Sequence, residues 1–376
     1  MSVAPSHLAQ RCLWWLAFGI AGLPVAAQSA STGTAPLNDS GQWRCVKRNF
    51  NFSRHCAGTG QDGEFGRDAT HGGNANGHAG FSFEKIGPLG EVLPPDAQQW
   101  RCVRDRVTGL MWENKTHDGG VHDGRALYTN LDNGRPGDVS ALVAATNEEA
   151  LCGAADWRLP NRREVESLVD FSIAQGTPMI DTTWFSDSAS NFHWTSSRAD
   201  QLGGGPHYRW AVSLYDGRSI WYGGMYGDFA ARLVRQGHKV NDQRWAVQGA
   251  EVLDQSTGLV WRRCAEGQTW SGSTCTGAPT VFLTAADATD HAKAQAQATG
   301  QPWRAPNIKE LASLVDERFE GPALNPAIFP GFACGMCHSN TRWTMNPVYS
   351  WRLEFYEGSV TRDFWGGNMV LVRDTD

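Results

Sequence analysis

A chain of 376 residues exceeds what one hydrophobic core usually serves, so two domains with additional segments are expected. Charged residues make up 19%, while glycine (42) and tryptophan (17) are plentiful, which suits loop-rich domains anchored by aromatics and excludes long charged helices. The net charge of −6, with no basic tail or block, lacks the lysine and arginine stripe that nucleic-acid binding requires, so no nucleic-acid partner is expected.

Residues 1–27 read as a signal peptide: Arg11 supplies the positive start, Leu13 to Ala26 the apolar run, and Val25-Ala26-Ala27 the small-residue cleavage pattern. The run falls short of the roughly 18–20 residues of a membrane span, and no other segment reaches that length. An exported protein, periplasmic or extracellular, with no stable span after cleavage is therefore expected. Without Cys12, eight cysteines remain, an even number that reads as disulfides in an exported chain. Nearest neighbours suggest Cys45–Cys56, Cys102–Cys152 and Cys264–Cys275. Cys334 and Cys337 pair with each other or with distant cysteines.

Residues 28–99 read as a leader and a disulfide-bearing N-terminal segment. The polar stretch 28–42 is expected to be flexible, and 43–99 to form loops with a strand or two packed on the first domain. Two repeats follow, 100–237 and 243–376. Each opens with a turn and strand, Asp105 to Trp112 and Asp254 to Trp261. Each continues with a helical stretch, 138–152 and 284–299. Then comes a shared signature: Trp157-Arg158-Leu159-Pro160-Asn161 leading to Asp170, and Trp303-Arg304-Ala305-Pro306-Asn307 leading to Asp316. Asn161 with Glu164, and Asn307 with Glu310, predict helix N-termini closed by capping boxes. Val165, Leu168 and Val169, matched by Leu311, Leu314 and Val315, form the apolar stripe behind each cap. Hairpins around Asp216-Gly217 and Glu357-Gly358 and short terminal strands close the copies. Corresponding tryptophans lie 141–149 residues apart, the mark of a duplicated domain and not of a solenoid.

The motifs TGLMW/TGLVW, WRLPNRREVESLVD/WRAPNIKELASLVD, HWTSS/RWTMN and RLVR/LVR together resemble the Legionella collagen-like protein C-terminal domain (Lcl C-terminal domain) family, a domain-of-unknown-function family. The segment Gly60 to Asp68 looks like the lead-in found in such proteins. The helix, WRLP turn and closing strand also resemble the formylglycine-generating enzyme branch of the C-type-lectin-like fold. The resemblance implies an α+β fold: two tandem C-type-lectin-like domains, each a small twisted antiparallel sheet with about two helices and long loops. It also implies a surface or envelope protein of adhesion type. Ala305, in place of the usual leucine, and Met345-Asn346 depart from the pattern in the second copy.

Trp112, Trp157, Trp194, Trp261, Trp303 and Trp343 recur at matched positions and are expected in the core. Trp221, Tyr222 and Tyr226, and opposite them Phe364 and Trp365, lie between glycines in the hairpin returns, where aromatics suit a stacking platform for sugar rings. Arg209, Arg218 and Arg232 are candidates to hold an anionic sugar, although acidic residues outnumber basic ones in the first repeat. Cys334-Gly335-Met336-Cys337-His338 matches the attachment pattern of covalent haem c, against a plain disulfide. His117, His122 and Asp123 are a weak cation pattern, and no metal site is expected. No hydrolase motif is present. The expected function is non-enzymatic: a carbohydrate-binding or adhesion-type protein that recognises a glycan or envelope protein through hairpin loops, without a cofactor. The alternatives are a redox or haem protein using Cys334, Cys337 and His338, and a structural envelope component.

Overall fold

The computed structural model describes Met1 and residues 37–47, 50–70, 74–203, 205–224, 228–236, 243–362 and 366–375. The signal peptide, Cys12 and most of the leader lie outside these. The N-terminal segment forms a hairpin of β1 (Cys45–Val46) and β2 (Phe52–Ser53), closed by the Cys45–Cys56 disulfide, and a short helix α1 (Gly66–Thr70).

The first repeat contributes β3 (Phe83–Ile86), β4 (Cys102–Asp105), β5 (Leu110–Glu113), α2 (Val139–Glu148), α3 (Arg162–Leu168), β6 (Phe192–Arg198), β7 (Tyr208–Ser213), β8 (Ser219–Gly223) and β9 (Val234–Gln236). They make two antiparallel sheets, ordered β3-β4-β5-β9 and β6-β7-β8. Because β3 pairs with β4, the sheet of the first repeat starts before the boundary expected at residue 100.

The second repeat follows the same plan with β10 (Trp245–Gln248), β11 (Glu251–Asp254), β12 (Leu259–Arg262), a small hairpin of β13 (Thr269–Trp270) and β14 (Cys275–Thr276), then α4 (Ala285–Thr299), α5 (Ile308–Ser313), β15 (Met336–Arg342), β16 (Ser350–Glu354), β17 (Ser359–Thr361) and β18 (Val372–Asp374). Its sheets are ordered β10-β11-β12-β18 and β15-β16-β17. The fold is thus α+β, mostly small antiparallel sheets with few helices, and all four local cysteine pairs are disulfides.

The signature explains itself at α3 and α5. Asn161 Oδ1 accepts from Glu164 N at 2.9 Å while Glu164 Oε2 accepts from Asn161 N at 2.8 Å, and Asn307 with Glu310 repeats both bonds. The same glutamates clamp the signature arginine: Arg158 donates to both oxygens of Glu164, and Arg304 to both of Glu310. One carboxylate therefore caps the helix and fixes the signature segment before it.

The apolar stripes of α3 and α5 meet in one continuous core that crosses the repeat boundary. Arg162 donates to the Gly358 carbonyl at 2.8 Å and stacks 4.1 Å from the Trp210 ring, and Phe171 meets Trp351 edge-on at 4.8 Å. Gly217, at φ +75°, lies under Trp351, where a Cβ would come within 2.7 Å of the indole.

Residues 38–42, expected to end a flexible leader, are instead buried. Their polarity is absorbed by distant partners: Asn38 Nδ2 donates to Asp105 Oδ2 at 2.6 Å, Phe171 N to the Ser40 carbonyl at 2.9 Å, and Gln42 Nε2 to the Arg342 carbonyl at 3.3 Å. This strap touches both repeats, and composition alone cannot separate such a segment from a linker.

Candidate functional site

The hairpin residues expected to form one platform are divided by the sheet. In β7 and β8, Arg209 stands opposite Tyr222 and Trp210 opposite Trp221, so neighbours along the strand face opposite ways. Trp221 turns toward the second repeat, where its Nε1 donates to Glu357 Oε2 at 2.7 Å, and it packs 5.5 Å from Tyr208. Tyr222 is 41% exposed on the other face, 5.6 Å from Phe229. Arg209 donates to the Pro206 and Tyr208 carbonyls, and Arg218 pairs with Asp216 at 2.8 Å. Arg232 is buried and donates to the Glu113 carbonyl and to Ser188; burial pushes its guanidinium down to about 10. Tyr226, Phe364 and Trp365 lie outside the described residues.

Cys334 and Cys337 are buried and joined by a disulfide, while His338 points from the opposite face of β15. Its Nε2 faces the Phe282 carbonyl at 3.2 Å, and burial pushes it down to about 4, with Arg352 adding to the shift. Thioether attachment needs two free thiols with the histidine on their side, and this arrangement offers neither. The residues His117, His122 and Asp123 do not converge. His117 faces Asp187 at 3.8 Å, and Asp123 is held by Arg125 at 2.6 Å. His122 is clasped between Glu113 (2.7 Å) and Glu149 (2.6 Å). Among the described residues no group of three or more His, Cys, Asp or Glu side chains is placed to hold a metal ion.

What the structure does bring together lies where the N-terminal segment meets the first repeat. Two adjoining clefts, of about 740 and 640 Å³, share Trp43, Asn74 and His78 as their common wall. Trp43 is half-buried, with the Arg54 guanidinium 4.7 Å and that of Arg44 5.4 Å from its ring, and His78 edge-on at 6.2 Å. His78 Nδ1 bonds Asp170 Oδ2 at 2.8 Å, and its backbone N–H donates to Asp181. The bond to Asp170 holds the imidazole above its ordinary value. The second oxygen of Asp170 accepts from Ser172 N and Oγ at 2.9 and 2.7 Å, fixing the carboxylate. Glu64 closes the floor of the first cleft by accepting from Gly58 N and Gly60 N at 2.7 and 2.6 Å. The second cleft adds Thr177, Thr182, Thr183, Ile173 and Trp184.

Among the described residues this site exists in one copy. Gly41 lies against Asp170, where a Cβ would fall 2.2 Å from Oδ1, so the strap reaches Asp170 only because it has no side chain there. The matching residue of the second repeat, Asp316, pairs with Arg318 at 2.7 Å instead. Sequence reasoning missed the site because His78 and Asp170 lie 92 residues apart. The available signal was the asymmetry itself: only the first repeat is preceded by a histidine-bearing, disulfide-closed segment.

The fold and site define a class: a duplicated α+β domain whose two copies share a core, with a polar, aromatic-walled cleft built where the N-terminal segment meets the first repeat. The family model of the Lcl C-terminal domain matches residues 101–235 and 250–373, more than half of the chain, and the chain belongs to that family. No curated protein and no solved structure matches it.

Proposed function

We propose that this is an exported, non-enzymatic binding protein that takes a glycan in the paired clefts around Trp43. The observation that carries the reading is the placement of Trp43 and His78 on the ridge between the two clefts. An aromatic ring beside guanidinium, imidazole, amide and hydroxyl groups suits a ligand with apolar CH faces and many hydroxyls. The carboxylates of Glu64, Asp170 and Asp181 are already engaged, which leaves Asp68 as the further carboxyl on the wall beside the donors and hydroxyls. Four disulfides suit an oxidising compartment outside the cytoplasm. Among the described residues no helix is long and apolar enough to cross a membrane. We read each repeat as a C-type-lectin-like domain, with the cleft beside the N-terminal segment in place of the hairpin platform as the contact surface.

The test is a glycan-array screen followed by titration of a positive glycan against the wild type and Trp43→Ala. A hot-spot aromatic contributes about 2 kcal/mol, so affinity should fall ~30-fold. Unchanged affinity in a folded Trp43→Ala protein would remove the cleft from consideration.

A further inference from the structure

The seam where the N-terminal segment meets both repeats holds more buried carboxyls than cations. Asp39 and Asp62 come from the segment and Asp105 and Asp170 from the first repeat, and all four are buried. Asp68 is half-buried at the wall of the first cleft. Lys309 of α5 reaches in from the second repeat and donates to the Asp39 and Ser167 carbonyls while lying 4.4 Å from the Phe81 ring. The neighbouring charges are committed elsewhere. Glu310 is clamped by Arg304, Arg67 donates to the Gly80 carbonyl, and Asp170 is paired with His78. Asp39 accepts from the backbone N–H groups of Gly41, Arg67 and Asp68, yet burial still holds its carboxyl above the ordinary range. Asp62 accepts from Ser40 Oγ and Thr341 Oγ1, which ties strap and second repeat through one carboxyl.

We infer that this seam is a proton-operated clasp, closing the N-terminal segment over the repeats when its buried carboxyls are protonated and loosening it as they ionise. With Asp170 paired to His78, the carboxyls of Asp39, Asp62, Asp68 and Asp105 have one buried ammonium among them and cannot all carry charge in a dry seam. Burial, with Asp39 adding to it, pushes Asp62 up to about 8 and Asp68 up to about 9. Asp105 is also raised by burial. Burial brings Lys309 down to about 7, against the pull of Asp39, Asp170, Asp105 and Asp62. The sign follows. Between the ordinary carboxylate range near pH 4 and about pH 8, the closed form holds protons that the open form releases, so closure weakens as pH rises. Lys309 acts in the other direction only above about pH 7, leaving the window from ~4 to 7 unopposed. Trp43 follows the strap directly, so the clasp governs the wall of the candidate cleft. It does not depend on what that cleft binds.

The experiment is hydrogen–deuterium exchange of the full chain at pH 5, 6 and 7, corrected for intrinsic rates, comparing residues 38–47 and 61–70 with β11 and β12. Each linked proton gives a tenfold change per pH unit. Local opening of the segment should therefore rise at least ~10-fold per unit while the reference strands hold steady. Asp62→Asn, which keeps an acceptor for Ser40 and Thr341 without the titration, should lower the slope by about tenfold per pH unit. If that variant does not fold, Asp68→Asn at the half-exposed wall should lower it in the same way. Opening that is independent of pH, or an unchanged slope in a folded variant, overturns the clasp.

Discussion

Truncating Trp351 to alanine should destabilise both repeats together. Trp351 is fully buried in β16 of the second repeat, yet its ring meets Phe171 of the first at 4.8 Å and covers Gly217 of the first-repeat hairpin. Loss of a fully buried tryptophan costs about 3–5 kcal/mol. Of this, roughly 1 kcal/mol belongs to the edge-to-face contact with Phe171. Domains of this size carry about 5–15 kcal/mol in total, so the change consumes a large share. The assay is urea denaturation followed by far-UV circular dichroism, with a cycle of Trp351→Ala, Phe171→Ala and the double variant. We expect one transition in every variant, a midpoint shift worth about 4 kcal/mol, and a coupling of about 1 kcal/mol across the repeat boundary. Two separate transitions, with only the later one moved by Trp351→Ala, would refute the shared core. Trp351→Phe is the control. Among the described residues the indole Nε1 has no hydrogen-bond partner, so removing it spares an unsatisfied donor and offsets part of the lost volume.

Two further outcomes are expected. Burial pulls His122 down, but the hydrogen bonds to Glu113 and Glu149 outweigh it and leave the imidazole above its ordinary value. A raised histidine stabilises the fold below its unfolded value near 6.5, and the contribution fades as pH climbs through the folded value. The wild type should therefore lose more stability between pH 5.5 and 8.5 than His122→Gln, read from urea midpoints at both pH values. Gly41→Ala should dislodge the strap. It sets a Cβ at 2.2 Å from Asp170 in a backbone with φ +84°, a strain of about 1–3 kcal/mol. Loss of the low-field His78 ring-proton signal in NMR would report it, and an unchanged His78–Asp170 pair would count against the packing described.

What could be read from the letters was whatever is settled within a few residues. The capping boxes of Asn161–Glu164 and Asn307–Glu310 are local, and so are the disulfides closed over 11 residues or fewer and the alternation that marks the hairpins. The strap was not legible, because Asn38 to Gln42 has a linker's composition and is buried only through partners as distant as Arg342. Trp221 and Tyr222 do not share one face for a reason present in the sequence: they are adjacent in a strand, and adjacent strand residues face opposite sides. The CxxCH pattern was ambiguous because five letters do not reveal whether they lie on a helix or a strand, and β15 sends Cys337 and His338 to opposite sides.

The strap also limits how this chain can be dissected. It is pinned to the first copy through Gly41 and Asp170 and to the second through the Arg342 carbonyl and Lys309. A fragment ending after the first repeat would leave Asp62 without its threonine and Asp39 without its lysine, both facing water. A fragment of the second repeat alone would expose Trp351 and the stripe of α5. Although the sequence is written as one domain twice, the smallest piece that closes its own interior runs from the strap to the last strand.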